Sequence, residues 1–143
     1  MATRLLAVAV AALGVGLPAA ALAAGTTLHP VVSAKLRGGA EVPRGSPAGS
    51  GTAVVNLDTK RNKACWTLSV KRIDRALSAH IHKAPPGKAG PVVIPLGARF
   101  STKGCVIAPR KAILAVARNP GAYYVNVHTK RYLDGAIRGQ LHG

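Results

Sequence analysis

Few residues in this chain can do chemistry, and three of them are histidines. His80 and His82 stand one residue apart in HIHKAPPGKAG (80–90), directly before a Pro/Gly loop, and His128 falls near the end of AYYVNVHT (122–129). Neutral imidazoles are ligands for copper or zinc, and three of them around one ion leave a position open. The same rings can instead hydrogen-bond backbone or side-chain partners, or form part of a contact face for another molecule. Cys65 and Cys105 are the remaining soft ligands, but neither has a ligand-type residue two to four positions away. His29 and His142, near the chain ends, read as exposed. The sequence offers no paired acids, no Ser/His/Asp set and no phosphate-binding glycine loop, so no enzyme is expected and no cofactor is required.

What positions these histidines is the periodicity around them. Short alternating runs are broken by Gly, Pro, Asn and Asp turns, the pattern of an all-β antiparallel sandwich or barrel. Strands are expected over 31–36, 52–58, 64–73, 78–83, 91–97, 104–108, 122–129 and 136–143. Pro95 cannot donate to a ladder, so 91–97 should lie at an edge. One short helix is expected over 109–121, with Pro109 in its first turn, a stripe of Ile113, Leu114 and Ala117, and Asn119-Pro120 ending it. Residues 38–51 form a Gly/Pro/Ser loop, and Asp134-Gly135 marks a turn.

Successive strand side chains point to opposite faces, which puts Ala79 and Ile81 on the apolar side. His80 and His82 then share the polar side, about 7 Å apart at two residues' rise. By the same rule Asn126 and His128 oppose Val125 and Val127, while Arg138 and Gln140 oppose Ile137 and Leu141. Alternation does not say whether these polar faces adjoin, because that depends on strand order.

The first 23 residues read as a secretory leader. Arg4 precedes an apolar run, Pro18 breaks it, and Ala21 and Ala23 supply a small-residue cleavage site. Residues 24–34 then form an N-terminal segment, and 35–143 one domain. In an exported chain an even cysteine count favours a Cys65–Cys105 disulfide, worth roughly 3–4 kcal/mol by loop-closure entropy. Such a chain would work outside the cytoplasm, secreted or in the cell envelope, as a monomer with no membrane helix once processed.

The charge is lopsided, with 20 Lys and Arg against 4 Asp and Glu. Loss of Arg4 leaves 19 − 4, a formal +15. That favours anionic partners such as cell-envelope polymers, and leaves an extracellular protein as the other candidate. It does not favour specific nucleic-acid binding, since the aromatics are too few to interleave with the basic residues. It also opposes a divalent cation at the histidines, with no carboxylate near them in the sequence.

EVP (41–43), HIHKAPPGKAGPVV (80–93), NPGAYYVNVHT (119–129) and GAIRGQL (135–141) resemble the CHRD domain, named for its repeats in chordin. The resemblance runs from about Lys35 to Leu141 and implies a small extracellular β-sandwich of undefined biochemical role, a binding or envelope-associated module. The chain departs from the family where Ala136 replaces a glutamate, and where Ala84 and Ala89 replace a glycine and an asparagine of the loop. A more distant likeness is to copper/zinc superoxide dismutase, a Greek-key β-barrel with His-x-His on a strand. It implies a similar architecture and copper-ligand positions matching His80, His82 and His128. The zinc half of that site has no counterpart in residues 83–105.

Overall fold

The structure, a computed structural model, describes residues 28–143. The expected leader at 1–23 lies outside the described residues. Eight strands follow in chain order: β1 Val31–Arg37, β2 Ser50–Asp58, β3 Lys63–Lys71, β4 Ala76–Lys83, β5 Val92–Pro95, β6 Lys103–Ile107, β7 Tyr123–Thr129 and β8 Ile137–Gln140. Among the described residues one α-helix, α1 (Arg110–Arg118), lies between β6 and β7, and single 3-10 turns occur at Gly38–Ala40 and Pro120–Ala122.

All eight strands join one antiparallel sheet in the order β5-β4-β7-β8-β1-β2-β3-β6. The sheet curls into a nearly closed barrel. Its seam lies between the edge strands β5 and β6, and the connection between them bridges it. The Leu96 and Phe100 amides donate to Ala79 and Leu77 of β4, while Leu68 of β3 donates to the Thr102 carbonyl. The Trp66 indole N–H reaches the Ser101 carbonyl at 2.9 Å, so the same short segment is held from both walls. The edge position of β5 suits Pro95, which has no N–H to give to an outer neighbour.

Alternation sets which side chains fill the barrel. Val32 and Leu36 of β1, Val55 of β2, Trp66 of β3, Ile81 of β4 and Ile137 of β8 all point inward and are buried. The helix covers part of this core with Ile113, Val116 and Ala117. The stripe was expected to include Leu114. Leu114 is instead half-buried, because the i, i+3, i+4 set built on Ile113 is 113, 116 and 117. Cys65 of β3 faces Cys105 of β6 in register, and the two form a disulfide on the outer face of the sheet. Among the described residues, no helix is long and apolar enough to cross a membrane.

Strand β7 departs from simple alternation. Every residue from Tyr123 to Val127 is buried. Its inner face meets the core, and its outer face is roofed by two loops, one following β1 and one following β4.

Candidate functional site

The strand order decides what alternation left open. β4 pairs with β7, and β7 with β8, so their outer faces form one surface. His80 pairs with Asn126 and Asn126 with Arg138, while His82 pairs with Tyr124 and Tyr124 with Gln140. Ser78 pairs with His128, which puts His128 diagonally across from His80. The six polar residues singled out in the sequence therefore share one patch. Of the two terminal histidines, His142 is exposed as expected, whereas His29 is half-buried.

One ring nitrogen from each of His80, His82 and His128 lies within 4.8 Å of the other two. Hydrogen-bond partners fix how the rings present themselves. His82 Nδ1 lies 2.8 Å from the Gly90 carbonyl oxygen, and His128 Nδ1 lies 2.8 Å from that of Leu133. A carbonyl only accepts, so both Nδ1 atoms carry the proton and both Nε2 atoms keep a lone pair in the neutral rings. His128 Nε2 accepts from His80 Nδ1 at 3.0 Å, which leaves the lone pair of His80 on Nε2 as well. The Asn126 amide group is also 3.0 Å from His128 Nε2, and with its NH2 turned toward the ring it competes with the His80 Nδ1–H for that single lone pair. His82 Nε2 is buried and has no partner at all.

Two of the rings, His80 and His82, are held toward the neutral form by their surroundings. Burial, then the neighbouring His128 and His82, pull His80 down to about 4. Burial also lowers His82, against the pull of the Gly90 hydrogen bond.

A second group of residues holds the loop that follows β4. Arg138 is 2 % exposed, and its guanidinium donates to the Lys88 carbonyl at 2.6 Å and to that of Pro85 at 2.9 Å. Gln140 donates to Ala84 and Gly121 carbonyls, each at 2.8 Å. The guanidinium also sits 3.4 Å over the Tyr124 ring, and Tyr124 stacks on His82 with ring centroids 4.8 Å apart and planes 8° from parallel. Arg138, Tyr124 and His82 thus form one column. The Tyr124 hydroxyl accepts the Gly90 N–H, the residue whose carbonyl orients His82. Gly90 is required there, since a Cβ would collide with the Lys83 carbonyl oxygen.

The sequence reading missed Glu41. It is 4 % exposed within the loop after β1, and its Oε1 has no hydrogen-bond partner. Burial pushes its carboxyl up to about 7, against the Val42 N–H, the Arg138 charge and the Asn126 amide. Glu41 packs on Gly135, whose φ of 136° and lack of a side chain make room for the carboxylate. The signal was present in EVP (41–43), but a lone acid in a Gly/Pro loop gives no hint of burial. The expectation that no carboxylate stands near the histidines is therefore corrected: one is buried beyond Asn126. The site where the family carries another glutamate holds a fully buried Ala136, one residue before the Val127–Ile137 pair.

An eight-stranded antiparallel barrel with a loop-clamped histidine cluster on its outer wall defines a small β-domain built to present one polar patch. Residues 32–141 match the CHRD domain family, and the chain belongs to it. A search of curated proteins found no match. A search of solved structures found none either.

Proposed function

We propose that this CHRD domain is an exported, non-catalytic binding module whose patch holds one copper or zinc ion on His80, His82 and His128. The observation that carries this reading is His82 Nε2, a buried lone pair with no partner beside two further imidazoles. An unpartnered buried acceptor is costly, and a bound cation would satisfy it. Nδ1–H donation to backbone carbonyls is the arrangement that orients histidine ligands in metal sites, and His82 and His128 both have it. With both cysteines in a disulfide, the donor set is all nitrogen, which suits Zn²⁺ or Cu²⁺.

A tetrahedral ion with bonds of 2.0–2.1 Å needs its nitrogens about 3.4 Å apart. The present limit of 4.8 Å means a closure of roughly 1.4 Å, by ring rotations that also turn the His80 Nδ1–H away from the His128 Nε2 lone pair and bring the His80 Nε2 toward the ion. Burial holds the Glu41 carboxyl up at about 7, so it would add a negative charge near the ion in this strongly basic chain only on losing its proton. Export is supported by the leader-like residues 1–23 and by the disulfide, which persists in oxidising compartments.

Titration calorimetry with ZnCl2 and with CuSO4 at pH 7 tests the reading. One equivalent should bind with heat, and metal at 100 times Kd should stabilise the fold by about 2.7 kcal/mol. His82→Ala should abolish both effects. The ligand strength of His80 and His82 should persist below the usual imidazole range near 6.5, that of His80 until pH approaches about 4, since burial holds both rings neutral. No heat and no thermal shift with either metal would leave the second reading. That reading rests on the 3.0 Å bond between His80 and His128 and takes the histidines as structural hydrogen-bonding groups.

A further inference from the structure

One end of the barrel combines exposed leucines with a concentration of cations. The β3–β4 turn (72–75), the β7–β8 turn (130–136) and the 96–102 connection all lie there. A cleft of about 750 Å³ has an apolar floor of Val70, Ile73, Leu77 and Phe100, with Arg75 and Arg99 among its walls. A neighbouring cleft of about 480 Å³ joins Arg72 of the first turn to Arg131 and Tyr132 of the second. Another of about 500 Å³ runs from Arg72 to Arg37. Lys130 sits in the second turn and is exposed.

The acids do not balance these charges. Asp74 and Asp134 are the two exposed carboxylates at this end, and Glu41 is buried. Two apolar side chains here stand in the open: Leu133 of the second turn is 72 % exposed, and Leu77 at the start of β4 is 44 % exposed. Nothing in the barrel core or in the histidine patch uses either side chain.

We propose that this end of the barrel docks on an anionic phospholipid bilayer, with headgroup phosphates between the arginines and Leu77 and Leu133 entering the interface. Arginine matches phosphate geometry because its planar fork donates two parallel hydrogen bonds. A basic cluster alone gives a weak, salt-screened attraction to anionic lipid. Apolar side chains that enter the interface supply the second signal that lasting attachment needs. Both signals occur here on adjacent turns. The Leu133 carbonyl also receives the His128 Nδ1–H, so the turn adjoins the histidine site, but the docking uses the side chain and needs no metal, and its failure would leave the metal reading untouched.

Co-sedimentation of the exported form of the protein with vesicles tests this directly. Vesicles of 30 % phosphatidylglycerol in phosphatidylcholine should retain it, and pure phosphatidylcholine vesicles should retain at least tenfold less. Leu77→Ser with Leu133→Ser, and separately Arg75→Gln with Arg99→Gln, should each weaken retention roughly tenfold. Lys60→Gln with Lys111→Gln removes the same charge from the opposite end and should change it less than twofold. All six positions are exposed, and circular dichroism checks that each variant stays folded. Equal losses in both arginine and lysine variants would reduce the effect to net charge and overturn the proposal. So would leucine variants that bind like the parent while soluble polyphosphate competes fully, since the partner would then be a free polyanion. Absence of retention on the anionic vesicles would overturn it outright.

Discussion

Glu41 and His80 pull the stability of the fold in opposite directions as pH changes. Glu41 has a raised folded value near 7, so the folded state binds its proton more tightly than the unfolded chain does. Its contribution is favourable at pH 4 and is lost as pH rises through about 7. His80 has a folded value near 4, so the unfolded chain takes up the proton first. Its contribution is intact above about 6.5 and is lost as pH falls toward 4. Between these limits the two slopes offset each other. Glu41→Gln keeps the shape and removes the charge. It should match the parent at pH 4 and be more stable at pH 8, by up to about 3 kcal/mol for a carboxyl pushed up to about 7 by burial. Urea melts at the two pH values check this, and a variant less stable at pH 8 would mean that the ionised carboxylate is already compensated.

At the scale of elements, the patch depends on β8 holding the loop after β4. Two carbonyls of that loop accept from one buried guanidinium, and the Tyr124–His82 stack lies beneath it. Lysine keeps the charge but cannot serve two carbonyls in the same fork or cover the ring as a plane. Arg138→Lys should therefore cost about 2–4 kcal/mol, the range for a broken buried charged network. It should also raise amide exchange at Lys88 and Gly90 while leaving β2 and β3 protected. If the loss spread evenly over the sheet, Arg138 would be a general core residue and not a clamp on this loop. The Pro85–Lys88 turn itself, with Gly87 at φ 75°, should survive the change because local chemistry specifies it.

For the whole molecule, the disulfide closes the side of the barrel remote from the histidines. It joins β3 to β6, the last strand of the order, where the sheet has no further neighbour. Its loop spans 40 residues and contains β4 and β5, so the bond limits how far the unfolded chain can open around the seam. Cys65→Ser with Cys105→Ser should destabilise by roughly 3–4 kcal/mol and lower Tm by about 10–20 °C. A smaller drop would show that the seam contacts of Trp66 and the 96–102 connection already fix this edge. The strongly basic composition belongs to the same scale: with few acids to pair, most cations stay solvated, and Arg61 with Asp58 is an exposed ion pair among the described residues.

The sequence by itself determined the strands, their inward faces and the edge role of β5. A period of two is a local property, and it put Ile81 inside and His80 and His82 outside without reference to any neighbour. The cysteine count and the four family motifs were equally local, and they led to the disulfide and to the CHRD family. Only the tertiary structure decided that β4, β7 and β8 adjoin, which brings His128 to His80 and Asn126 to Arg138. It also decided that the polar face of β7 is buried under loops, which leaves Glu41 Oε1 without a partner and stacks Arg138 on Tyr124. Strand order and loop placement arise from packing among residues far apart in the chain, and no window of sequence contains both partners.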